Sequence, residues 1–303
     1  MRRKQFICMF SVLAFMLVPV YSSEIAELQH AAQQGDSVAQ VNLGYLYYTG
    51  KKIERNRDKA IYWFLKAAAK GDAVAQYRLG ICYHDIKDYH KALYWFAKAA
   101  EQRLPAGQCY IGIYYFEGNA VNKDKKQAVY WFRKAAEQGE MYAQYLLSCA
   151  YYNGTGVKAN KKAAFYWLLK SAKQGFVEAQ STVAAQYFLG TDVEKNLNAA
   201  AYWYRKAAEQ GDVDAMFALG VSLYAGWENE PNEEEGMYWY RKAAERGHPE
   251  AMKNVGYCYY SGRGVRKDYR LAKYWLQKAI AEGDESTKKS AQKLLDEINI
   301  NSY

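Results

Sequence analysis

Between residues 124 and 159 the apolar positions fall into two helical stripes. Ala128, Trp131, Phe132 and Ala135 follow one another at i, i+3, i+4 and i+7, the spacing that lines one face of an α-helix. Asp124 precedes them as a helix-starting side chain. Gly139 closes the helix, because a residue without Cβ enters the left-handed conformation freely. Ala143, Leu146, Leu147 and Ala150 mark a second helix, which runs through Tyr151-Tyr152 into the loop Asn153-Gly154-Thr155-Gly156.

This unit recurs along the chain. Tyr-Trp dipeptides begin at Tyr62, Tyr94, Tyr130, Tyr166, Tyr202, Tyr238 and Tyr274, spaced 32 residues once and 36 thereafter. Six residues before each tyrosine stand Asn56, Asp88, Asp124, Asn160, Asn196, Asn232 and Asp268, the types that accept from the free N–H groups of a first helical turn. Nine residues after it stand Gly71, Gly139, Gly175, Gly211, Gly247 and Gly283, with Arg103 as the exception. Ala75, Ala143, Ala179, Ala215 and Ala251 form a small-residue column in the second helix. Gly80, Gly112, Gly220 and Gly256 follow five positions later, with Ser148 and Ala184 in the same place. Small side chains let helices approach closely. The tryptophans Trp63, Trp95, Trp131, Trp167, Trp203, Trp239 and Trp275 are therefore expected to pack the core as the main stabilisers.

A fixed period of this length predicts an all-α fold: a right-handed α-α superhelix, or solenoid, of about eight helix-turn-helix repeats of ~36 residues with a concave inner surface. Eight pairs begin near residues 26, 62, 94, 130, 166, 202, 238 and 274. The first has Ala26-Glu27 in place of Tyr-Trp. The last ends in a helix from Glu285 to Ile300, apolar at Ala291, Leu294, Leu295 and Ile298; both ends are expected to shield the array from water. The expected organisation is a leader over 1–22, the solenoid over 23–283 and a capping helix over 284–303. Four prolines and no Ser/Gly-rich tract leave no place to cut the array.

Residues 1–22 differ in kind. Arg2, Arg3 and Lys4 precede an apolar stretch from Phe6 to Val20, followed by Tyr21-Ser22-Ser23. That order is a signal peptide's, with cleavage after Ser22 or Ser23. About 15 apolar residues make only ~22 Å of helix, short for a ~30 Å hydrocarbon core, so a retained anchor is the weaker reading. Cys8 lies outside any lipobox arrangement. The mature chain is expected in the periplasm or secreted, without stable membrane insertion. Loss of Arg2, Arg3 and Lys4 takes the net charge of +9 to +6, a mild excess spread along the chain that argues against nucleic acid. Cys82, Cys109, Cys149 and Cys258 then remain with no C-x-x-C spacing. Buried small residues in helices are the leading reading of these thiols, and Cys82–Cys109 is the first disulfide to test against it.

Ala128 to Gln144 (AVYWFRKAAEQGEMYAQ) and Ala251 to Val265 (AMKNVGYCYYSGRGV) carry a pattern that resembles the Sel1-like repeat, a relative of the tetratricopeptide repeat. The resemblance extends from residue 26 to about 290. It implies an adaptor or scaffold role. Exported bacterial members bind host proteins, and others are immunity proteins that neutralise toxins, phospholipase toxins among them. Cysteine-rich relatives tied to β-lactams carry paired cysteines that are missing here.

Specificity in repeat arrays is expected where the pattern breaks. Tyr83-His84-Asp85-Ile86-Lys87-Asp88 replaces one G-x-G loop, and Arg103-Leu104-Pro105 replaces a helix-ending glycine. The loop at 225–236 holds five glutamates and Trp227, the tryptophan outside the column. Trp227 with Glu228 and Glu230 reads as an aromatic anchor with an acidic rim, or as a loop folded back on a neighbouring helix. His84, Asp85 and Arg103 complete the candidate protein-binding set. A metal reading of His84, Asp85, Asp88 and His90 is weakened by irregular spacing and by the capping duty of Asp88. His30 and His248 read as isolated surface residues. The lysine column (Lys66, Lys98, Lys134, Lys170, Lys206, Lys242, Lys278) suits an acidic partner or complements helix dipoles. H-E-x-x-H, G-x-S-x-G and phosphate-loop motifs are missing, so neither catalysis nor a cofactor is expected. The sequence reads as a non-catalytic binder of another protein, either a toxin or effector neutralised by an immunity protein, or a host factor or scaffold partner.

Overall fold

A computed structural model of the chain describes residues 22–227 and 230–301, and these contain sixteen α-helices and no strand. The chain divides into two compact units, residues 1–167 and 168–303. The first contains α1 (Ser22–Gln33), α2 (Ser37–Thr49), α3 (Arg57–Ala68), α4 (Ala73–Asp85), α5 (Tyr89–Glu101), α6 (Pro105–Glu117), α7 (Lys125–Glu137) and α8 (Met141–Asn153). The division falls inside α9 (Lys161–Lys173). The second unit continues with α10 (Val177–Leu189), α11 (Leu197–Glu209), α12 (Val213–Ala225), α13 (Glu233–Glu245), α14 (Pro249–Ser261), α15 (Tyr269–Glu282) and α16 (Glu285–Asn301). The expected leader, but for Ser22, lies outside the described residues. Among the described residues no helix is long and apolar enough to cross a membrane.

Each first helix starts where its cap predicts. Asn56 accepts from the Lys59 N–H, Asp88 from Lys91, Asp124 from Lys126 and Gln127, and Asn160 from Ala163. Asn196, Asn232 and Asp268 do the same in the second unit. Each cap contributes ~1 kcal/mol. The closing glycines Gly71, Gly139, Gly175, Gly211 and Gly247 take positive φ, and Arg103 is held at φ 62 in the same role. Gly283 differs, with φ −77; there the need is for space, because a Cβ would lie 2.6 Å from the Ala279 carbonyl.

The tightest packing joins the second helix of one pair to the first helix of the next, as in α2–α3, α4–α5, α6–α7, α10–α11, α12–α13 and α14–α15. The residue after the tryptophan sets this contact. Phe64, Phe96 and Leu276 are fully buried, Phe132 nearly so, and Tyr240 is buried. A methyl at Gly80 would sit 2.4 Å from the Phe96 ring, and one at Gly44, Gly112, Gly220 or Gly256 would crowd Phe64, Phe132, Tyr240 or Leu276 as closely. The glycine column thus makes the hole that the next helix fills. The tryptophans flank this contact. Trp203, Trp239 and Trp275 are buried, whereas Trp63, Trp95, Trp131 and Trp167 are half-buried. The apolar stripe of α7 is accordingly Ala128, Phe132, Ala135 and Ala136, one step round from the stripe expected.

Buried glutamines form a polar seam beside this core. Gln40 and Gln144 donate to the Ala32 and Ala136 carbonyls of the preceding helix, and Gln180 does so to Ala172. A glutamine from the end of the following first helix then closes on the seam: Gln102 on Gln76, Gln138 on Gln108 and Gln210 on Gln180, at 2.7–2.8 Å. Such pairs satisfy amides that would be costly to bury alone. At the next position Arg246 instead meets the Met216 sulfur at 3.5 Å. At the end of the chain, α16 buries Ala291, Leu295 and Ile298 against α14 and α15.

The four described cysteines are thiols. The buried-thiol reading holds for Cys82, Cys109 and Cys258, and the Cys82–Cys109 pairing is not formed: Cys82 belongs to the cluster around Phe64, and Cys109 to that around Phe132. Burial, with Asp85 nearby, pushes the Cys82 thiol up to about 12, and burial pushes Cys258 up to about 11.

Two outcomes follow from this packing. Phe96→Ala is expected to cost about 3–5 kcal/mol, read from urea unfolding, and Trp95→Ala clearly less; equal losses would put the indole back at the centre of the core. In folded protein at pH 8 the buried thiols of Cys82, Cys109 and Cys258 should react slowly with a thiol reagent and become fully reactive only after urea is added. Because the folded pKa values of Cys82 and Cys258 lie above the ordinary 9.0, their contribution to stability is complete below pH ~9 and declines as pH rises toward their folded values.

Candidate functional site

Helical phase decides what the first helices show to solvent. In α7 the buried positions include Ala128 and Phe132. Tyr130 lies two residues from each, roughly 200° round the helix, so it must face outward. The whole column obeys this rule: Tyr62, Tyr94, Tyr130, Tyr166, Tyr202, Tyr238 and Tyr274 are 41–55% exposed. Each tyrosine meets its neighbouring tryptophan edge to face, with ring centroids 5.0–5.4 Å apart.

One turn later a lysine folds over the tyrosine. Nζ of Lys66, Lys98, Lys134, Lys206, Lys242 and Lys278 lies 4.6–6.0 Å from the Tyr62, Tyr94, Tyr130, Tyr202, Tyr238 and Tyr274 rings. At exposed sites such contacts are worth roughly 0.5–1 kcal/mol, enough to bias the rotamers of both residues. Each rung presents a half-exposed phenol with its hydroxyl and an ammonium, both ordered before any partner arrives. The lysine column therefore does more than complement helix dipoles.

The residues singled out at the pattern breaks do not form one site. Trp227 stacks on Phe188 with centroids 4.9 Å apart and planes 15° apart, so it is folded back and half-buried. Glu228 lies outside the described residues. Glu230 is exposed and lines an open polar depression with Glu233, Glu234, Gly264 and Arg266. The neighbouring glutamates are engaged, Glu233 with Arg263 and Glu235 with Arg205.

His84 and Asp85 sit together at the end of α4. His84 Nδ1 shares a 2.9 Å hydrogen bond with the hydroxyl of the buried Tyr114, and its ring packs among Tyr89, Tyr110 and Tyr114. Asp85 accepts from the Tyr48 hydroxyl at 2.9 Å. Burial, and then this carboxylate, hold the Tyr48 phenol above its usual range. Asp88 caps α5 and pairs with Lys91 at 2.9 Å. Among the described residues no group of three His, Cys, Asp or Glu is placed to hold a metal. Arg103 is exposed at the opposite end of α5, about 20 Å along the helix axis from His84. Trp227 and Glu230 belong to the second unit.

His248 corrects the sequence reading. It is half-buried, stacks on Phe217 at 4.5 Å, and caps α14 by accepting from the Ala251 N–H at 3.2 Å. Its signal was positional: it stands 36 residues after Asp212, which caps α12 in the same way.

The model for the Sel1 repeat matches seven successive segments: residues 37–72, 73–104, 105–140, 142–176, 177–212, 213–248 and 249–284. Each begins at a second helix and ends with the following first helix, which is the closely packed pairing; α1 and α16 flank them. The chain is similar to the crystal structure of a Sel1 repeat protein from Oxalobacter formigenes, with 29% identity and a TM-score of 0.64 over 90% of this chain and 80% of that one. It is also similar to a protective antigen with an SLR fold from uropathogenic Escherichia coli, with 32% identity and a TM-score of 0.56 over 91% of this chain and 67% of that one. An immunity protein from Pseudomonas aeruginosa aligns over 93% of this chain and 84% of its own with 19% identity and a TM-score of 0.42, a likeness too slight to bear on function. No curated protein matches. With matched segments over most of its length, and every one folded as the pattern requires, the chain belongs to the Sel1 repeat family.

Proposed function

We propose that this chain is a non-catalytic protein-binding array that is exported to the bacterial periplasm and acts by occupying a partner protein. The observation that carries the reading is the run of outward tyrosines, each braced by a tryptophan, with Tyr62, Tyr94, Tyr130, Tyr202, Tyr238 and Tyr274 covered by a lysine. Tyrosine supplies contact area and a hydrogen-bonding hydroxyl at low entropic cost, which is why it is common where proteins meet. At the first pattern break His84 and Asp85 are engaged with tyrosines, and Asp88 with a helix cap and an ion pair.

Within this reading, the partner we favour is a toxin acting beyond the inner membrane, with the chain as its immunity protein. The second reading is a scaffold or a binder of host factors. It gains support from the similarity to a protein described as a protective antigen, a role that requires accessibility to the host. Two experiments separate them. Mature protein is used as bait on extracts of toxin-producing donor cells and of host cells, and its periplasmic expression is tested for protection against the captured donor protein. Capture without protection would remove the immunity reading.

Tyr62→Ala, Tyr94→Ala and Tyr130→Ala combined are expected to weaken the captured partner roughly ten-fold or more, as truncation of interface aromatics does. The thermal unfolding midpoint should change little, because these side chains are about half exposed. Undiminished affinity in this variant would rule out the tyrosine ladder as the contact face.

A further inference from the structure

The two units place their charge differently. In the first, α3, α5 and α7 together carry nine Lys or Arg and three Asp or Glu. The second helices of that unit are nearly uncharged: α2 and α8 have no charged side chain, α4 one Arg and one Asp, and α6 one Glu. The excess positive charge of these packed helices is thus concentrated on the ones that bear the exposed tyrosines. In the second unit α11, α13 and α15 carry seven basic and six acidic residues, which is close to balance. The mild positive excess of the chain is therefore weighted toward the first helices of the first unit.

Local pairing leaves most of this field uncompensated. Lys91–Asp88 and Lys98–Glu101 are exposed i,i+3 pairs, a class worth little in water. Lys66 and Lys134 lie over Tyr62–Trp63 and Tyr130–Trp131. A ring contact orients the ammonium without neutralising it. We infer that the tyrosine–lysine ladder of α3, α5 and α7 is a docking surface for an acidic, extended polypeptide segment. This deepens the protein-binding reading and rests on it.

The chemistry of one rung fits a carboxylate side chain. The ammonium supplies the charge, the phenol hydroxyl supplies a donor, and the ring supplies an apolar surface for a neighbouring residue. The rung-bearing helices α3, α5 and α7 alternate with α4 and α6, so successive rungs lie within two helix-packing steps of one another, at most roughly 16–20 Å. An extended chain rises about 3.3 Å per residue, so a segment of about twelve residues is long enough to reach three rungs. Duplex DNA carries a charge every ~1.7 Å of its axis, far denser than one lysine per rung, so the spacing favours a polypeptide.

The test uses mature full-length protein and a fluorescein-labelled peptide of about twelve residues, Glu-Leu-Glu repeated, followed by anisotropy. Binding is expected, and it should weaken as added salt shortens the Debye length below about 10 Å. The combined variant Lys66→Glu, Lys98→Glu, Lys134→Glu should lose roughly ten-fold or more. The matching change in the second unit, Lys206→Glu, Lys242→Glu, Lys278→Glu, should lose less than about two-fold. Circular dichroism and thermal unfolding establish that both variants fold. If one does not, Lys→Gln at the same positions replaces it. Equal losses in the two variants, absence of binding, or tighter binding of duplex DNA or phosphatidylglycerol vesicles through the same lysines would each overturn the inference. A partner captured by wild-type protein that still binds the first variant would refute this surface while leaving the protein-binding reading intact. Failure to capture any partner would count against that reading itself.

Discussion

The structure depends on a missing side chain. Wherever a glycine of a second helix faces the ring or leucine of the next first helix, two backbones come close enough for one residue to fill the space between them. The five glycine contacts at Gly44, Gly80, Gly112, Gly220 and Gly256 leave no room for even a methyl group. Ala184 occupies the same place in its copy. Tyr204, in the position those glycines face elsewhere, is only half-buried. Hydrophobic burial drives the association, and steric exclusion decides which residue type each position accepts. The copies therefore share a contact although the residue that fills it varies among Phe, Tyr and Leu.

Much of this was legible in the chain, because caps, closing residues and small-residue columns act locally and repeat. All seven Asn/Asp starts serve as caps, and Arg103 takes the backbone geometry of the glycine it replaces. Period alone could not say which of three adjacent aromatics goes deepest. Tyr130, Trp131 and Phe132 recur with the same spacing, and only their phase against Ala128, Ala135 and Ala136 separates outward, flanking and buried. The largest ring was assigned to the centre; in α7 the centre goes to Phe132, whereas in α11 Trp203 is buried and Tyr204 only half-buried.

The candidate site was less legible, for a related reason. Departures from the pattern attract attention, yet here they are mostly absorbed by packing. His84 and Asp85 are held by Tyr114 and Tyr48, which lie 30 and 37 residues away, and Trp227 by Phe188. The solvent-facing ladder hides inside the repeating pattern, where a tyrosine looks like one more core aromatic. Its sign is the two-residue offset from the buried alanines. Net charge hid the segregation for a different reason: it sums the whole chain, whereas the excess sits on alternate helices of one unit.

The glutamine seam has a consequence for how such a chain can change. Gln76 with Gln102, Gln108 with Gln138 and Gln180 with Gln210 are like-for-like clasps, whereas Arg246 and Met216 are a matched pair of another kind. A copy transplanted across that point would, in one direction, aim an amide at a thioether, a weak acceptor. The copies are thus not interchangeable at every joint, and the array can lengthen or shorten freely only where both halves of the clasp match.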